Sequence, residues 1–181
     1  LRKLRQIKGV RKVFVASGIR YDMVLADRSQ GSKYLKDVVN HHVSGQMKVA
    51  PEHTETNVLR LMGKPGKESL LRFKGEFERL SAEAGRRQFL TYYLIAAHPG
   101  CTEEDMQRVR IFTSQKLNIH PEQVQVFTPT PSTYSSLMYY TEMDPFTGEK
   151  LFVEKETGRK ERQKRIVVEK RHPVPGKPYA R

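Results

Sequence analysis

Polar and titratable side chains gather where four short apolar runs of this 181-residue chain come to an end. Those ends read Ser17-Gly18-Ile19-Arg20, Ala50-Pro51-Glu52-His53, Ala97-His98-Pro99-Gly100-Cys101 and Phe127-Thr128-Pro129-Thr130. In parallel α/β folds a ligand sits at the carboxyl ends of the strands, so a pocket would be built from these positions. The second run alternates. With Met47 and Val49 packed against helices, Lys48, Ala50 and Glu52 would point the other way. A cation and a carboxylate there could hold a charged ligand; a solvated edge strand with Glu52 in a loop explains the same pattern.

Other reactive side chains have plainer explanations. Cys101 stands at a helix start, where a thiol pKa can fall, yet a loop cysteine of no chemical role is the commoner case. His98 and Cys101 are spaced to touch one metal, but two ligands do not make a site. Glu103, Glu104 and Asp105 follow Thr102 as acids in a first helical turn, which is a capping pattern before it is acid–base machinery. His41 and His42 close a predicted helix, where imidazoles commonly face the helix dipole or solvent.

The elements that must position these residues alternate between strand and helix. Val13–Ala16, Gln46–Ala50, Tyr92–Ala97 and Val124–Phe127 read as strands. Helices are expected over 1–8, stopped by Gly9, then over 32–42, 58–62, 70–84, from Thr102 to about Leu117, and over 133–141. Thr128-Pro129-Thr130-Pro131 is a stiff loop, because each proline fixes its own φ and restricts its predecessor. Asp144-Pro145-Phe146-Thr147-Gly148 is a turn into Lys150–Val153, and a short basic helix is expected beyond Gly158. Four β–α units in series imply a parallel sheet with helices packed outside. A closed barrel usually needs eight strands, so the expectation is an α/β partial barrel, an arc of about four strands with open edges.

Composition bounds the function. The formal charge is +13, but it sits at the chain's two ends. Arg2 to Lys12 carries six cations and no acid, residues 159–181 are also strongly basic, and the stretch between is formally neutral. Basic residues confined to the ends argue against a nucleic-acid groove in the body, and leave a standalone basic nucleic-acid-binding module as the alternative function. One cysteine excludes internal disulfides and any cysteine cage, and with no membrane-length apolar run or signal peptide the expected location is cytoplasmic. A chain opening on Leu1 rather than Met is expected to be processed, truncated or partial.

The strand ends also resemble a known family. Gly45-Gln46-Met47-Lys48-Val49-Ala50-Pro51-Glu52-His53-Thr54, with Val58-Leu59-Arg60-Leu61-Met62-Gly63-Lys64-Pro65, is similar to the YgiQ-like radical S-adenosylmethionine (SAM) proteins. So are Ser17–Asp22, His98–Met106, Phe127–Pro131, Met138–Tyr140 and Asp144–Glu149, and the resemblance covers roughly residues 10–165. It implies a six-unit partial barrel in which a Cys-x3-Cys-x2-Cys loop holds a [4Fe–4S] cluster and SAM is cleaved reductively to a 5′-deoxyadenosyl radical. By resemblance, residues 1–142 are the second half of that barrel. Residues 143–165 are an extension with a hairpin and a helix, and 166–181 a tail without fixed structure. Glu52 is expected at the SAM ribose and amino acid part, Ala97 and His98 against adenine, and Phe127 and Thr128 at a further adenine contact. Gly18, Arg20 and Lys48 would face the substrate. The cysteine loop is absent, so the expected partner is a missing N-terminal half, and this chain alone is expected to hold neither SAM nor cluster and to be inactive.

Overall fold

Parallel pairing organises the chain in the computed structural model, which describes residues 1–169. Three strands, β1 (Gln46–Glu52), β2 (Phe89–Ala96) and β3 (Val124–Val126), lie in that order in one open sheet. Met47 aligns with Leu90 and Val49 with Tyr92, and Leu94 aligns with Val124 on the far side of β2. Before the sheet come α1 (Arg2–Arg5), α2 (Tyr21–Ala26) and α3 (Gly31–His41). The β1–β2 crossover carries α4 (Thr56–Leu61) and α5 (Lys67–Glu83). The next crossover carries α6 (Glu103–Phe112), which runs on into a π-helical turn at Thr113–Leu117. After β3 come α7 (Tyr134–Thr141) and α8 (Thr157–Val168).

Side-chain alternation puts the core on one face of the sheet. Met47, Val49 and Leu90 join Leu35, Val38 and Val39 of α3 and Leu70, Phe73 and Phe77 of α5, all fully or nearly buried. Leu94, Ala96 and Val124 join Met106 and Val109 of α6 and Val167 of α8. The opposite face of β2 presents Phe89 and Tyr93, 58% and 44% exposed. One sheet face is therefore covered by helices while the other shows aromatic side chains to solvent, as in an open sheet.

The sheet has three strands among the described residues, not four. Residues 13–16 form no strand; the segment touches the sheet only through a parallel bridge between Ile19 and Val49. Their backbone is engaged elsewhere: the Val13 carbonyl accepts from His42 Nδ1 at 2.6 Å, and the Val15 amide donates to the His42 carbonyl at 2.9 Å. Pairing with the end of α3 replaces strand ladder bonds, so Gly18 closes a bridge-forming segment rather than a strand. The N-terminal helix is also shorter than its sequence pattern, ending at Arg5. At the other end α8 continues through Val168 with Val167 buried, so residues 166–168 are ordered helix. The rest of the tail expected over 166–181 lies, from residue 170, outside the described residues.

The 143–153 segment turns back as expected. Met143 and Lys150 form an antiparallel bridge, and the Asp144 amide donates to the Glu149 carbonyl at 2.8 Å. Asp144 Oδ1 accepts from the Phe146 amide, and Oδ2 accepts from Arg60 Nη1 of α4 at 2.8 Å. These contacts hold the Asp144 carboxyl below its ordinary pKa, the Phe146 amide first and Arg60 second.

Candidate functional site

The ends of β1 and β2 share an unusual backbone feature. Glu52 and Ala97, neither of them glycine, both adopt the left-handed region, with φ of 65° and 58°. Such conformations cost roughly 1–3 kcal/mol each and persist only where surroundings fix them. Here the surroundings are visible. Glu52 Oε1 lies 3.0 Å from Lys64 Nζ, which also donates to the Ala50 carbonyl at 3.3 Å. The Ala97 amide donates to Gln163 Oε1 of α8 at 2.9 Å.

A register shift between Val49 and Glu52 complicates the alternation read from sequence. Lys48 and Val49 behave as expected, exposed and buried. Past the shift, the alternation that would place Glu52 beside Lys48 no longer holds. Lys48 is solvated mid-strand, aligned with Thr91. Glu52 instead acts on the strand-end region. Its charge contributes to raising Arg20, after the hydrogen bonds and charge of Asp22, and to raising Tyr21 to about 12, after burial and Asp22. Arg20 is exposed and held by both Asp22 oxygens at 2.9 and 2.6 Å. Gly18 is exposed too, and a Cβ there would make ordinary contact with Ala50 at 3.8 Å, so packing does not force a glycine.

His98 is the most enclosed of the titratable candidates. Its Nδ1 lies 2.8 Å from the Pro99 carbonyl and its Nε2 lies 2.8 Å from Ser135 Oγ of α7. A carbonyl can only accept, so Nδ1 carries the proton and Nε2 accepts from the Ser135 hydroxyl. Burial lowers the His98 pKa, opposed by the Pro99 bond and by Glu52, which keeps the ring neutral. Phe127 stands edge-on to it, with centroids 5.1 Å apart, and its amide donates to the Ala96 carbonyl at 2.8 Å. Tyr139 of α7 continues the cluster 5.8 Å from Phe127, with Lys160 Nζ 4.6 Å from the Tyr139 centroid. Thr128 is exposed beside it. The structure thus gathers Glu52, Ala97, His98, Phe127 and Thr128 at one end of the sheet, and leaves Lys48 apart.

A second layer beneath these residues escapes sequence reading. His53 Nδ1 accepts from the Glu55 amide at 3.1 Å, which leaves the proton on Nε2, 3.4 Å from Cys101 Sγ. Burial pushes His53 down to about 4 and the Cys101 thiol up to about 12. Both groups are neutral at physiological pH, so Cys101 is a packed thiol rather than a nucleophile. Gln163 closes the layer: its Oε1 lies 3.4 Å from Cys101 Sγ, and its Nε2 donates to the Cys101 carbonyl at 3.1 Å. Arg108 pairs with Glu55 at 2.8 Å and with Asp105, whose Oδ2 also receives the Thr102 amide in the predicted capping box. The one local signal for Gln163 is an uncharged residue amid the basic run of α8.

The described residues do not supply the three thiolates that an iron–sulfur cluster takes. Cys101 is the chain's single cysteine, and it is buried with a raised pKa. Among the described residues no three His, Cys, Asp or Glu side chains gather as metal ligands, and no helix is long and apolar enough to cross a membrane. The strand-end residues are of a different chemical kind. They offer a half-buried carboxylate, a backbone turn with a buried neutral imidazole, and a partly exposed aromatic ring.

Comparison with known proteins finds similarity over most of the chain. Residues 122–171 match a domain of unknown function, DUF3362, so β3, α7, the hairpin and α8 fall within the matched stretch. A UPF0313 protein of Fusobacterium nucleatum is 60% identical over 171 residues, covering 94% of this chain and 30% of the relative. A UPF0313 protein of Thermotoga petrophila is 43% identical over 171 residues, again 94% of this chain and 30% of the relative. One of Clostridium perfringens is 42% identical over 167 residues, 92% of this chain and 25% of the relative. The chain is thus similar to UPF0313 proteins along nearly its whole described length, and spans about a quarter to a third of theirs.

Proposed function

We propose that this chain is the strand-end wall of a SAM-binding pocket, completed by an upstream segment that carries the [4Fe–4S] cluster of a radical enzyme. The observation that carries the proposal is the convergence of Glu52, Ala97, His98 and Phe127 at one end of a parallel sheet, two of them in left-handed backbone. Similarity to proteins three to four times as long supports a further segment, and the motif resemblance supplies its upstream place and its chemistry.

SAM, when bound, supplies a 5′-deoxyadenosyl group whose release needs an electron, and no residue here can deliver one. This chain's own residues bind and orient. The Glu52 carboxylate accepts from ribose hydroxyls or balances the amino group of the methionine part. Its tie to Lys64 keeps it aimed. The turn at Ala97, fully buried with its amide held by Gln163, positions the strand end and His98 rather than touching adenine itself. The Phe127 ring supplies a face for stacking. His98 is neutral and fixed in one tautomer, so it shapes the pocket without donating a proton.

A chimera joining the upstream segment of the Fusobacterium nucleatum relative to Leu1, reconstituted without oxygen with iron and sulfide, tests this. Under reduction it should release 5′-deoxyadenosine from SAM, and Glu52→Gln should weaken SAM binding roughly tenfold, as loss of a charge-assisted contact does. A cluster-loaded chimera that neither binds SAM nor releases 5′-deoxyadenosine would sink the proposal.

A further inference from the structure

A basic cleft lies at the opposite pole of the sheet, where β1 and β2 begin. Its volume is about 490 Å³, and Arg5, Arg11, Lys12, Phe14, Arg86 and Arg87 line it with no Asp or Glu among the lining residues. The fold creates this concentration. The N-terminal segment brings three cations, and the loop between α5 and β2 brings two from the stretch of sequence that is neutral on average. His42 pins the segment through the Val13 carbonyl at 2.6 Å, which fixes Arg11, Lys12 and Phe14 on either side of that anchor.

These cations are not consumed by the protein. Among the described residues no carboxylate pairs with Arg11, Lys12, Arg86 or Arg87, and all four are exposed. Arg5 is the exception in part, 4.0 Å from Asp37, which also lies near Arg2 and His42. His41 on the wall reports the field: its pKa is lowered by burial and then by Arg5, partly offset by Asp37, with His42 and Arg86 adding to the lowering. Phe14 is 46% exposed, and Lys12 Nζ lies 5.9 Å from its ring centroid. Cations without counter-ions beside an exposed aromatic ring are what a phosphate backbone with unpaired bases requires, because phosphates take the charge and a base stacks on the ring.

We propose that this cleft binds single-stranded nucleic acid, with Arg5, Arg11, Lys12, Arg86 and Arg87 on successive phosphates and Phe14 under a base. The site is separate from the SAM wall and does not depend on it. Stacking carries no sequence code, so binding is tolerant of base identity.

Fluorescence anisotropy of the 181-residue chain with a labelled oligouridine of about twelve nucleotides tests the site across a salt series. Five neutralised phosphates predict a log–log salt slope near −3.5, from about 0.7 per phosphate on a single strand. Arg86→Glu/Arg87→Glu should weaken binding at least roughly tenfold and flatten the slope by about 1.4. Arg11→Glu/Lys12→Glu should do the same, and serves if the first variant does not fold. Lys164→Glu/Arg165→Glu on α8 makes the same change in net charge away from the cleft and should leave affinity within about twofold. Phe14→Ala should weaken oligouridine roughly tenfold yet leave inorganic polyphosphate unchanged, since only the former stacks. Equal losses from the α8 and cleft variants would overturn the proposal. So would polyphosphate, anionic vesicles or polyglutamate binding more tightly than oligouridine, or an unchanged affinity in Phe14→Ala.

Discussion

The Ala97 amide and the Gln163 side chain meet at 2.9 Å although they lie 66 positions apart. Gln163 also donates to the Cys101 carbonyl, so one buried amide side chain satisfies backbone on both sides of His98. Replacing it with Leu keeps its volume and leaves two buried backbone groups without partners. Gln163→Leu should cost about 2 kcal/mol or more of unfolding free energy, since each stranded group costs about 1–3 kcal/mol. Urea denaturation measures it, and a change below about 0.5 kcal/mol would show that the amide is dispensable.

Acid should destabilise the chain well before its carboxylates titrate. His53 is depressed to about 4 from an ordinary 6.5, first by burial. Where a folded pKa is depressed, the unfolded state takes the proton first, so stability is full above about 6.5 and falls as pH drops toward 4. The loss should reach about 3 kcal/mol at the lower limit. His98 is lowered too and adds to the slope with the same sign. Unfolding free energies of the wild type and His53→Gln between pH 7 and 4 test this. A wild-type curve no steeper than the variant's would refute it.

Cys101 should resist alkylation. Its thiol is fully buried and pushed up to about 12, so almost no thiolate exists at pH 8. Reaction with iodoacetamide should be at least roughly a hundredfold slower in the native chain than in denaturant. Comparable rates in the two conditions would show that the strand-end layer opens readily.

Two glycines should respond to alanine with opposite signs. A Cβ at Gly31 would run into the Val24 carbonyl, which is backbone and cannot move aside cheaply. At Gly75, inside α5, it would meet nothing within 4 Å. Gly31→Ala should therefore cost about 1–3 kcal/mol, while Gly75→Ala should gain about 0.5–1 kcal/mol from helix propensity. Thermal melts of the two variants shifting in the same direction would contradict the packing around α2 and α3.

What the sequence discloses depends on how far apart the partners are. The capping box of α6 is written within four residues, Thr102 to Asp105, and forms as expected. The strands β1 and β2 follow local apolar patterning and are found. Val13–Ala16 is a continuous apolar run that also reads as a strand yet forms none; His42, 29 positions away, takes the Val13 carbonyl. Gln163 could not be picked out, since its partners lie more than sixty positions upstream. The basic cleft was hidden for a related reason. Arg86 and Arg87 disappear into a neutral average along the chain, and only folding sets them beside Arg11 and Lys12.

The Ala97–Gln163 bond also sets an order of events during synthesis. At about 5–20 residues per second, Gln163 is made roughly 3 to 13 s after Ala97. Over that interval the strained turn after β2 lacks its clamp, and the sheet can be laid down while its carboxyl rim stays unfinished. The rim closes only once α8 has emerged from the ribosome, so a nascent chain stalled before residue 163 should show a formed sheet and a loose His98 loop.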